Sequence, residues 1–269
     1  MKKKILLILI VSLLAIITVH LSFFSKNSKD RLYSNNSTQP TEYEEVLSSE
    51  IQKQSDNLLG FQFNDKNFMV SWFKVEDLSK INLITNFKNK LTSKEILDKY
   101  NCRYLINGGF YSKDYLPIGL FINKEGQLST QIQNNLFNGI LSLNYFEIPR
   151  ITRILPQDEL FFAIQTGPLL IENDSAQNLR IKNDTYDRRV ISAITGNNEL
   201  YFLVIYDKNS SFSGPKLTDL PNILSEVEKS LSLDLADAIN LDGGTASVFI
   251  SPEIKLSELT SVGSFFCIE

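Results

Sequence analysis

Short runs rich in Ile, Phe, Tyr and Val recur along the chain from residue 67 onward, and their shortness limits the fold more than any other feature. β-branched and aromatic residues in runs of this length are typical of strands rather than helices. Glycine-containing turns at Lys124-Glu125-Gly126 and Gly196-Asn197-Asn198 are typical of hairpins. The sequence therefore predicts a strand-rich fold. The predicted strands are Asn67–Phe73, Arg103–Ile106, Ile118–Ile122, Ile140–Phe146, Leu160–Ile164, Leu169–Ile171, Val190–Ile194, Leu200–Ile205, Ala238–Leu241 and Ser247–Ile250.

Two segments have the pattern of helices. Thr92 and Glu95 form a capping box that opens a helix at Ser93–Tyr100. Apolar residues recur at helical spacing after Thr218; they are Leu220, Ile223, Leu224, Val227 and Leu231. Each helix runs directly into an apolar strand. We therefore predict an α+β or α/β fold, with a mixed, strand-rich sheet and a few packed helices.

An apolar run lies near the N-terminus. Three lysines at positions 2–4 precede Ile5–Phe24, about 20 residues that can span a bilayer as a helix. A cleaved signal peptide is the alternative, but the run exceeds the usual length and no A-x-A-like cleavage site follows it. The lysines predict that the N-terminus lies inside. We expect residues 1–24 to be a transmembrane anchor or uncleaved signal of a single-pass cell-membrane protein, with its C-terminal domain outside the cytoplasm.

The remainder of the chain divides into a linker and a domain. Residues 25–57 are polar, without a sustained apolar period, and are predicted to be a tether. Residues 58–269 suit one domain with a sizeable core. Cys102 and Cys267 are the only cysteines. An exported location permits a disulfide between them, and two buried free thiols are the alternative.

Charge and histidine content exclude several functions. The net charge of -4 leaves no broad basic surface for a nucleic acid, so we expect no such partner. The only histidine, His20, lies in the apolar run, which excludes Ser-His-Asp and Cys-His catalysis and histidine-ligated zinc in the domain. We expect no cofactor, although an oxygen-ligand site for Ca²⁺ or Mg²⁺ stays open, formed by Asp242, Asp114, Asp187 or backbone carbonyls.

Three turns share one design, in which an apolar strand is followed by a polar side chain and then glycine. They are Asn107-Gly108-Gly109, Gln165-Thr166-Gly167 and Asp242-Gly243-Gly244. Glycine lets backbone N–H groups converge on a ligand. Singly, each turn is also typical of an ordinary hairpin. Together they predict one polar cavity, with Asp242 within ~15 Å of Asn107 because both groups would act on one ligand.

The order and spacing of these turns resemble the phosphodiester glycosidase family. The residues that carry the resemblance are Asn107-Gly108-Gly109-Phe110, Gln165-Thr166-Gly167-Pro168, an Arg further along, and Asn240-Leu241-Asp242-Gly243-Gly244. It covers roughly residues 58–269. The resemblance implies that Asp242, Arg189 and Asn107 are catalytic, with Arg188 as the alternate for Arg189. It implies that substrate is bound by Gly108, Gly109, Gln165, Thr166, Gly167, Arg188, Gly243, Gly244 and Thr245.

The chemistry of that family fits a domain without histidine. Phosphate is a weakly basic leaving group, so cleavage of a sugar-1-phosphate diester at the anomeric carbon needs little general-acid help. Asp242 would activate water or stabilise an oxocarbenium-like charge, and Arg189 would hold the phosphate. Asn107 and Gln165 would bond sugar hydroxyls. We predict an exported, membrane-anchored hydrolase of sugar-1-phosphate diesters in envelope or exopolysaccharide metabolism. A non-catalytic module that binds cell-envelope glycan is the alternative.

Structural roles compete with the catalytic ones. Arg189 could instead form an ion pair with Asp184 or Asp187, and Asp242 could simply shape its turn. Three aromatic residues after the first turn are candidates for a sugar-stacking rim, with core packing as the alternative. They are Phe110, Tyr111 and Tyr115.

Overall fold

The structure is a computed structural model that describes residues 57–269. These residues fall within one compact unit, Ser55–Glu269. The predicted anchor, His20 and all but the last residue of the predicted tether lie outside the described residues. Within 57–269, no helix is both long and apolar enough to cross a membrane.

Strands supply most of the regular structure between residues 57 and 269. The two α-helices are α1 (Ser93–Tyr100) and α2 (Leu220–Leu231), and short 3₁₀ turns occur at Leu78–Lys80, Leu217–Asp219 and Gly244–Ala246. In chain order the strands are β1 (Leu58–Phe63), β2 (Lys66–Lys74), β3 (Ile81–Thr85), β4 (Tyr104–Asn107), β5 (Phe121–Asn123), β6 (Gly126–Ser129), β7 (Gly139–Asn144), β8 (Pro149–Thr152), β9 (Leu160–Thr166), β10 (Leu169–Glu172), β11 (Ser175–Ala176), β12 (Arg189–Thr195), β13 (Leu200–Asp207), β14 (Leu235–Asn240), β15 (Phe249–Ile250), β16 (Lys255–Leu256) and β17 (Ser264–Ile268).

The strands form three sheets. Sheet 1 has the order β1-β2-β13-β12-β14-β10-β11, sheet 2 the order β16-β15-β4-β17-β3, and sheet 3 the order β6-β5-β9-β7-β8. The prediction of a strand-rich fold is confirmed, and the described chain is mostly β. The prediction of a mixed sheet is wrong, because every strand pairing in the described part is antiparallel. Strands β4 and β14, which follow the helices, pair with antiparallel neighbours instead of forming parallel crossovers.

A cluster of phenylalanines joins the three sheets. Phe202 of sheet 1 and Phe162 of sheet 3 both pack on Phe266 of sheet 2, with ring centroids 5.3 and 5.2 Å apart respectively. All three side chains are fully buried. Aromatic pairs at this spacing are favourable beyond the area they bury. The sheets therefore share one core, which fixes the positions of the strand ends.

Both helices lie where the sequence predicts them. The capping box of α1 is present, since Thr92 Oγ1 accepts a hydrogen bond from Glu95 N and Thr92 N donates one to Glu95 Oε2. Helix α2 buries its apolar stripe, including Ile223 and Leu224, against sheet 1. Its amphipathic pattern is therefore satisfied by packing rather than by intrinsic propensity.

The C-terminal strand β17 is absent from the predicted strands, yet it lies between β3 and β4. Its pairing places Cys267 opposite Leu105, close to Cys102, which lies just before β4. The two cysteines form a disulfide with their Cα atoms 5.3 Å apart. The bridge is therefore present, and the free-thiol alternative does not hold.

Candidate active site

The three glycine turns meet at the ends of β4, β9 and β14. Asn107 Nδ2 donates a hydrogen bond of 2.8 Å to the carbonyl of Asp242. The hydroxyl of Thr166 donates one of 2.8 Å to the carbonyl of Asn240, and Asp242 N donates to the carbonyl of Gly108. The turns therefore lie close together, and Asp242 is as near to Asn107 as predicted. The prediction that all three turns line one cavity is wrong, because only the third turn lines the cavity found beside it.

A cavity of about 380 Å³ opens beside the third turn. Its polar lining includes Asp184, Asp187, Arg189, Asn240, Asp242 and Thr245, and its apolar lining includes Phe110, Leu136, Ile181 and Leu217. Gly243 and Gly244 also line it, whereas the predicted Gly108, Gly109, Thr166 and Gly167 do not. A larger cavity, of about 560 Å³, is lined by none of the predicted site residues. The smaller cavity, which combines a carboxyl and a guanidinium group, is the candidate active site.

The side-chain amides of Asn107 and Gln165 are hydrogen-bonded to other parts of the chain. Asn107 Nδ2 donates to the carbonyls of Gly108 and Asp242, and its Oδ1 accepts from Val248 N. The amide of Gln165 makes four backbone hydrogen bonds. Three hold the 132–137 loop, at Ile132 and Phe137, and the fourth is accepted from Leu120 N. The prediction that these two amides bond sugar hydroxyls does not fit this geometry, since each has used its two donors. They position the turns instead.

The glycines of the third turn are required by a close backbone contact. A Cβ on Gly243 would lie 2.9 Å from the carbonyl oxygen of Arg188, which is too close for any larger residue. Gly244 has φ +62° and donates from its N–H to the same carbonyl. Glycine adopts this backbone conformation without steric cost. The turn therefore presses against the start of β12, and Gly243 lies beside Arg189.

Asp242 is the half-buried carboxyl of the cavity. Its Oδ1 accepts a 2.9 Å hydrogen bond from Gly243 N, and no other partner of this carboxyl occurs in the described part of the chain. Burial raises the pKa of Asp242 to about 7, although the Gly243 N–H opposes the shift. A carboxyl with this pKa populates both protonation states at neutral pH, which is what proton transfer requires.

Arg189 combines an ion pair with a free nitrogen. The residue is 7% exposed. Its Nε donates a hydrogen bond to the carbonyl of Pro215, and its Nη2 donates one to the carbonyl of Thr185. The same Nη2 contacts the carboxylates of Asp184 and Asp187 at 3.4 and 3.7 Å. Burial lowers the pKa of Arg189, and the two carboxylates oppose that shift. Its Nη1 has no partner among residues 57–269. The ion-pair alternative is confirmed, and Arg189 also lines the cavity.

Asp184 holds this arginine in place. Its carboxylate accepts hydrogen bonds from Leu217 N, Thr218 N and the Thr218 hydroxyl at 2.7–3.0 Å. Burial alone would raise the pKa of Asp184, but these hydrogen bonds and Arg189 outweigh burial and lower it. From the sequence, Asp184 was a candidate ion-pair partner for Arg189. The 177–188 segment has no apolar period, so nothing in it predicted a cavity wall.

Arg188 does not reach the cavity, which corrects its assignment as a substrate-binding alternate. Its guanidinium is fully buried and donates to Ser247 Oγ and to the carbonyls of Ser247, Ser257 and Ser211. Burial lowers the pKa of Arg188 to about 10, with the charge of Glu258 opposing. Arg188 therefore fastens the segment that follows the third turn.

The aromatic residues after the first turn divide between the two predicted roles. Phe110 lines the cavity and packs on Phe137, with ring centroids 4.6 Å apart. Tyr111 stacks on Tyr115 and donates its hydroxyl hydrogen to the carbonyl of Ser261. Neither tyrosine lines the cavity, so only Phe110 is placed to contact a sugar.

The carboxylates of the possible oxygen-ligand metal site are not clustered in the described residues. Within residues 57–269, no three His, Cys, Asp or Glu side chains form a group that could hold a metal ion. Asp242, Asp114 and Asp187 accordingly do not form such a group.

Comparison with known proteins gives one family and a shared fold. The sequence model of a family described as phosphodiester glycosidase matches residues 100–263, which include all three turns. A search of curated protein sequences finds no match.

Solved structures resemble this one at low identity. The catalytic domain of zebrafish N-acetylglucosamine-1-phosphodiester alpha-N-acetylglucosaminidase, auto-inhibited by its pro-peptide, superposes with a TM-score of 0.62 at 12% identity over 79% of this chain and 81% of that chain. A hypothetical protein from Synechocystis superposes with a TM-score of 0.60 at 13% identity over 78% of this chain and 61% of that chain. At these identities the likeness shows the fold.

Proposed function

Because this chain belongs to the phosphodiester glycosidase family, we propose that it hydrolyses the bond between the anomeric carbon of a sugar and a phosphodiester group. The family is one of enzymes that act on phosphodiester-linked sugars, and the fold suggests a glycosidase-type function. One observation carries the proposal for this chain: Asp242 and Arg189 line the same cavity, and Arg189 Nη1 has no hydrogen-bond partner among residues 57–269. The cavity thereby combines a general base with an arginine that can bind phosphate.

In the reaction we propose, water attacks the anomeric carbon while the bond to the phosphate oxygen breaks. Ionised Asp242 accepts a proton from the water, and its charge stabilises the oxocarbenium-like transition state. The phosphate leaves with the electrons of the broken bond. Arg189 Nη1 donates a hydrogen bond to the phosphate oxygens, and a charge-assisted bond of this kind is among the stronger ones in proteins. No histidine is needed at any step.

The surrounding residues keep these two groups in place. Asp184 and Asp187 contact Nη2 of the Arg189 guanidinium, which leaves Nη1 for the ligand. Asn107 fixes the Asp242 backbone. Such positioning matters because small displacements of a reacting group cost large factors in rate. Phe110 is placed to pack against a sugar face.

The proposed location follows from the N-terminal sequence. Residues 1–24 have the length and lysine flank of an anchor whose following chain lies outside the cytoplasm. We therefore propose that the substrate is an envelope or exopolysaccharide component that carries a sugar phosphodiester.

A substrate panel tests the activity. Full-length protein is incubated with UDP-sugars and with methyl phosphodiesters of sugar-1-phosphates, and release of free reducing sugar is measured. Catalytic release of sugar supports the hydrolase. Saturable binding without release would instead support a non-catalytic module that binds envelope glycan, and neither binding nor release would contradict both functions.

The pH dependence reports on Asp242. Since the ionised form is the base and burial raises its pKa to about 7, kcat/KM should rise roughly tenfold per pH unit below that value and level off above it. A pH–rate profile between pH 5 and 9 measures this. A rate that falls as pH rises through 7 would show that the protonated carboxyl is the active form.

Substitution of Arg189 tests phosphate binding. Arg189→Lys keeps the positive charge but loses the planar group, which contacts Asp184 and Pro215 and leaves Nη1 without a partner in the described residues. We expect KM to rise about tenfold with kcat changed by less than about threefold. Arg103→Lys, at an exposed arginine outside the cavity, is the matched control. A large fall in kcat at unchanged KM would place Arg189 in the chemical step instead.

A further inference from the structure

A second cavity, also of about 380 Å³, adjoins the candidate active site. Leu136 and Ile181 line both cavities. The floors are also continuous, because Asn240 of the active-site cavity donates from its backbone N–H to the carbonyl of Pro168, which lines the second one. We call the second one the neighbouring cavity. A ligand that passes over Ile181 and Leu136 would occupy both.

The two cavities differ in charge. The active-site cavity has three carboxyl groups, those of Asp184, Asp187 and Asp242, against one arginine. The neighbouring cavity is lined by Arg180 and Lys182 without any carboxyl group. Its remaining polar side chains are amides, those of Asn135, Asn138, Gln177 and Asn178. Negative charge on a ligand beyond the one phosphate that Arg189 can contact is therefore disfavoured near the carboxylates and favoured in the neighbouring cavity.

Arg180 and Lys182 are available to a ligand. Both side chains are exposed, and neither forms an ion pair or a hydrogen bond with any residue in the 57–269 range. They flank Ile181, so both belong to the segment that continues into the active-site wall at Asp184. In contrast, Arg189 already shares its charge with two carboxylates.

We propose that the neighbouring cavity binds a negatively charged group of the leaving part of the substrate, beyond the phosphate that Arg189 contacts. This inference rests on the proposed hydrolase function and narrows its substrate class. The sugar and the scissile phosphate occupy the active-site cavity, and a second phosphate, as in a diphosphate or a phosphodiester-linked chain, lies against Arg180 and Lys182. A diester with a small neutral aglycone is then a poor substrate.

Paired substrates of one sugar test the proposal. Full-length wild type and Arg180→Gln/Lys182→Gln are compared on a UDP-sugar and on the methyl phosphodiester of the same sugar-1-phosphate. The double variant should lose about tenfold in kcat/KM on the UDP-sugar, mainly through KM, and less than about twofold on the methyl diester, since only the former reaches the two cations. Lys94→Gln/Arg103→Gln, which removes the same charges outside both cavities, is the control and should change neither value. Equal losses on both substrates, or none on the UDP-sugar, would overturn the proposal.

A binding measurement separates this inference from the hydrolase function. Inorganic pyrophosphate and UDP are titrated into wild type and into both double variants by calorimetry. An anion subsite is supported if both ligands bind wild type and bind about tenfold more weakly to Arg180→Gln/Lys182→Gln but not to the control variant. This holds even if no sugar is released from any substrate. If UDP binds and pyrophosphate does not, the protein recognises the nucleoside, which contradicts the anion subsite. If sugar is released but pyrophosphate binds Arg180→Gln/Lys182→Gln as tightly as wild type, the hydrolase function stands and the anion subsite is refuted.

Discussion

Replacement of Asp242 by Asn should reduce kcat by at least about 100-fold while leaving substrate binding nearly unchanged. The amide keeps the size of the side chain, and its oxygen can still accept the hydrogen bond from Gly243 N that shapes the turn. It cannot accept a proton from water or carry the negative charge that stabilises the transition state. Release of reducing sugar under single-turnover conditions, with KM or a binding constant measured alongside, checks this result.

Two controls separate lost chemistry from lost structure. Asp114→Asn removes an exposed carboxyl that lies outside the cavity, and it should retain full activity. The thermal stability of Asp242→Asn gives the second control. The folded pKa of Asp242, about 7, lies above the ordinary value of 3.8, so wild-type stability falls as pH rises between these values and the carboxyl ionises. The Asn variant lacks this loss. It should be more stable than wild type at pH 8, by on the order of 1–4 kcal/mol, and should lose that advantage below pH 4.

Activity of Asp242→Asn within a few-fold of wild type would reduce Asp242 to a turn residue. The catalytic carboxylate would then be Asp187, whose side chain is partly exposed beside Gly244. A variant that is less stable than wild type at pH 8 would show that the carboxylate supports the turn, against the expected sign.

Removal of the disulfide should be the largest single loss of stability. Cys102 and Cys267 are 165 residues apart in sequence, so the bridge constrains most of the unfolded domain. Cys102→Ser/Cys267→Ser is therefore expected to lower the free energy of unfolding by about 2–5 kcal/mol. Guanidinium unfolding followed by the fluorescence of Trp72, the only tryptophan, measures this loss.

Reductant provides the internal control for that experiment. Wild type in excess dithiothreitol should unfold at the midpoint of the double variant, and the double variant should not respond to dithiothreitol. Equal midpoints for oxidised wild type and the double variant would mean that the β17–β4 pairing alone holds the C-terminus. Catalytic activity of the folded double variant should stay near wild type, because the cysteines do not line the active-site cavity.

Local sequence patterns predicted both helices and the longer strands, because the signals for these elements come from residues close together in sequence. The capping box of Thr92 and Glu95 set the start of α1, and the apolar spacing after Thr218 identified α2. The longer apolar runs became strands β2, β9, β12 and β13. Each of these signals involves residues within one turn or one strand, whose preferences hold wherever the segment packs.

Strand partners and sheet direction depended on distant residues. β17 is a five-residue strand that lies between β3 and β4, and a short apolar run at a chain end carries no information about its neighbours. The same is true of the disulfide, which exists because β17 pairs with β4. The mixed sheet was predicted because helices precede β4 and β14, but the direction of a strand is set by its partners in the sheet.

The sequence by itself predicted where the candidate site lies, because glycine turns after apolar strands are local patterns and their order resembled that of one family. Asp242 and Arg189 could be placed in it for the same reason. Only the tertiary structure decided which polar groups remain free for a ligand. The amides of Asn107 and Gln165 form hydrogen bonds with backbone groups distant in sequence. The side chain of Arg188 is buried in the core, whereas Arg189 has one nitrogen without a partner in the described residues. A side chain's role depends on which atoms the fold has already satisfied, since a buried donor must find a partner, and that partner can lie far away in sequence.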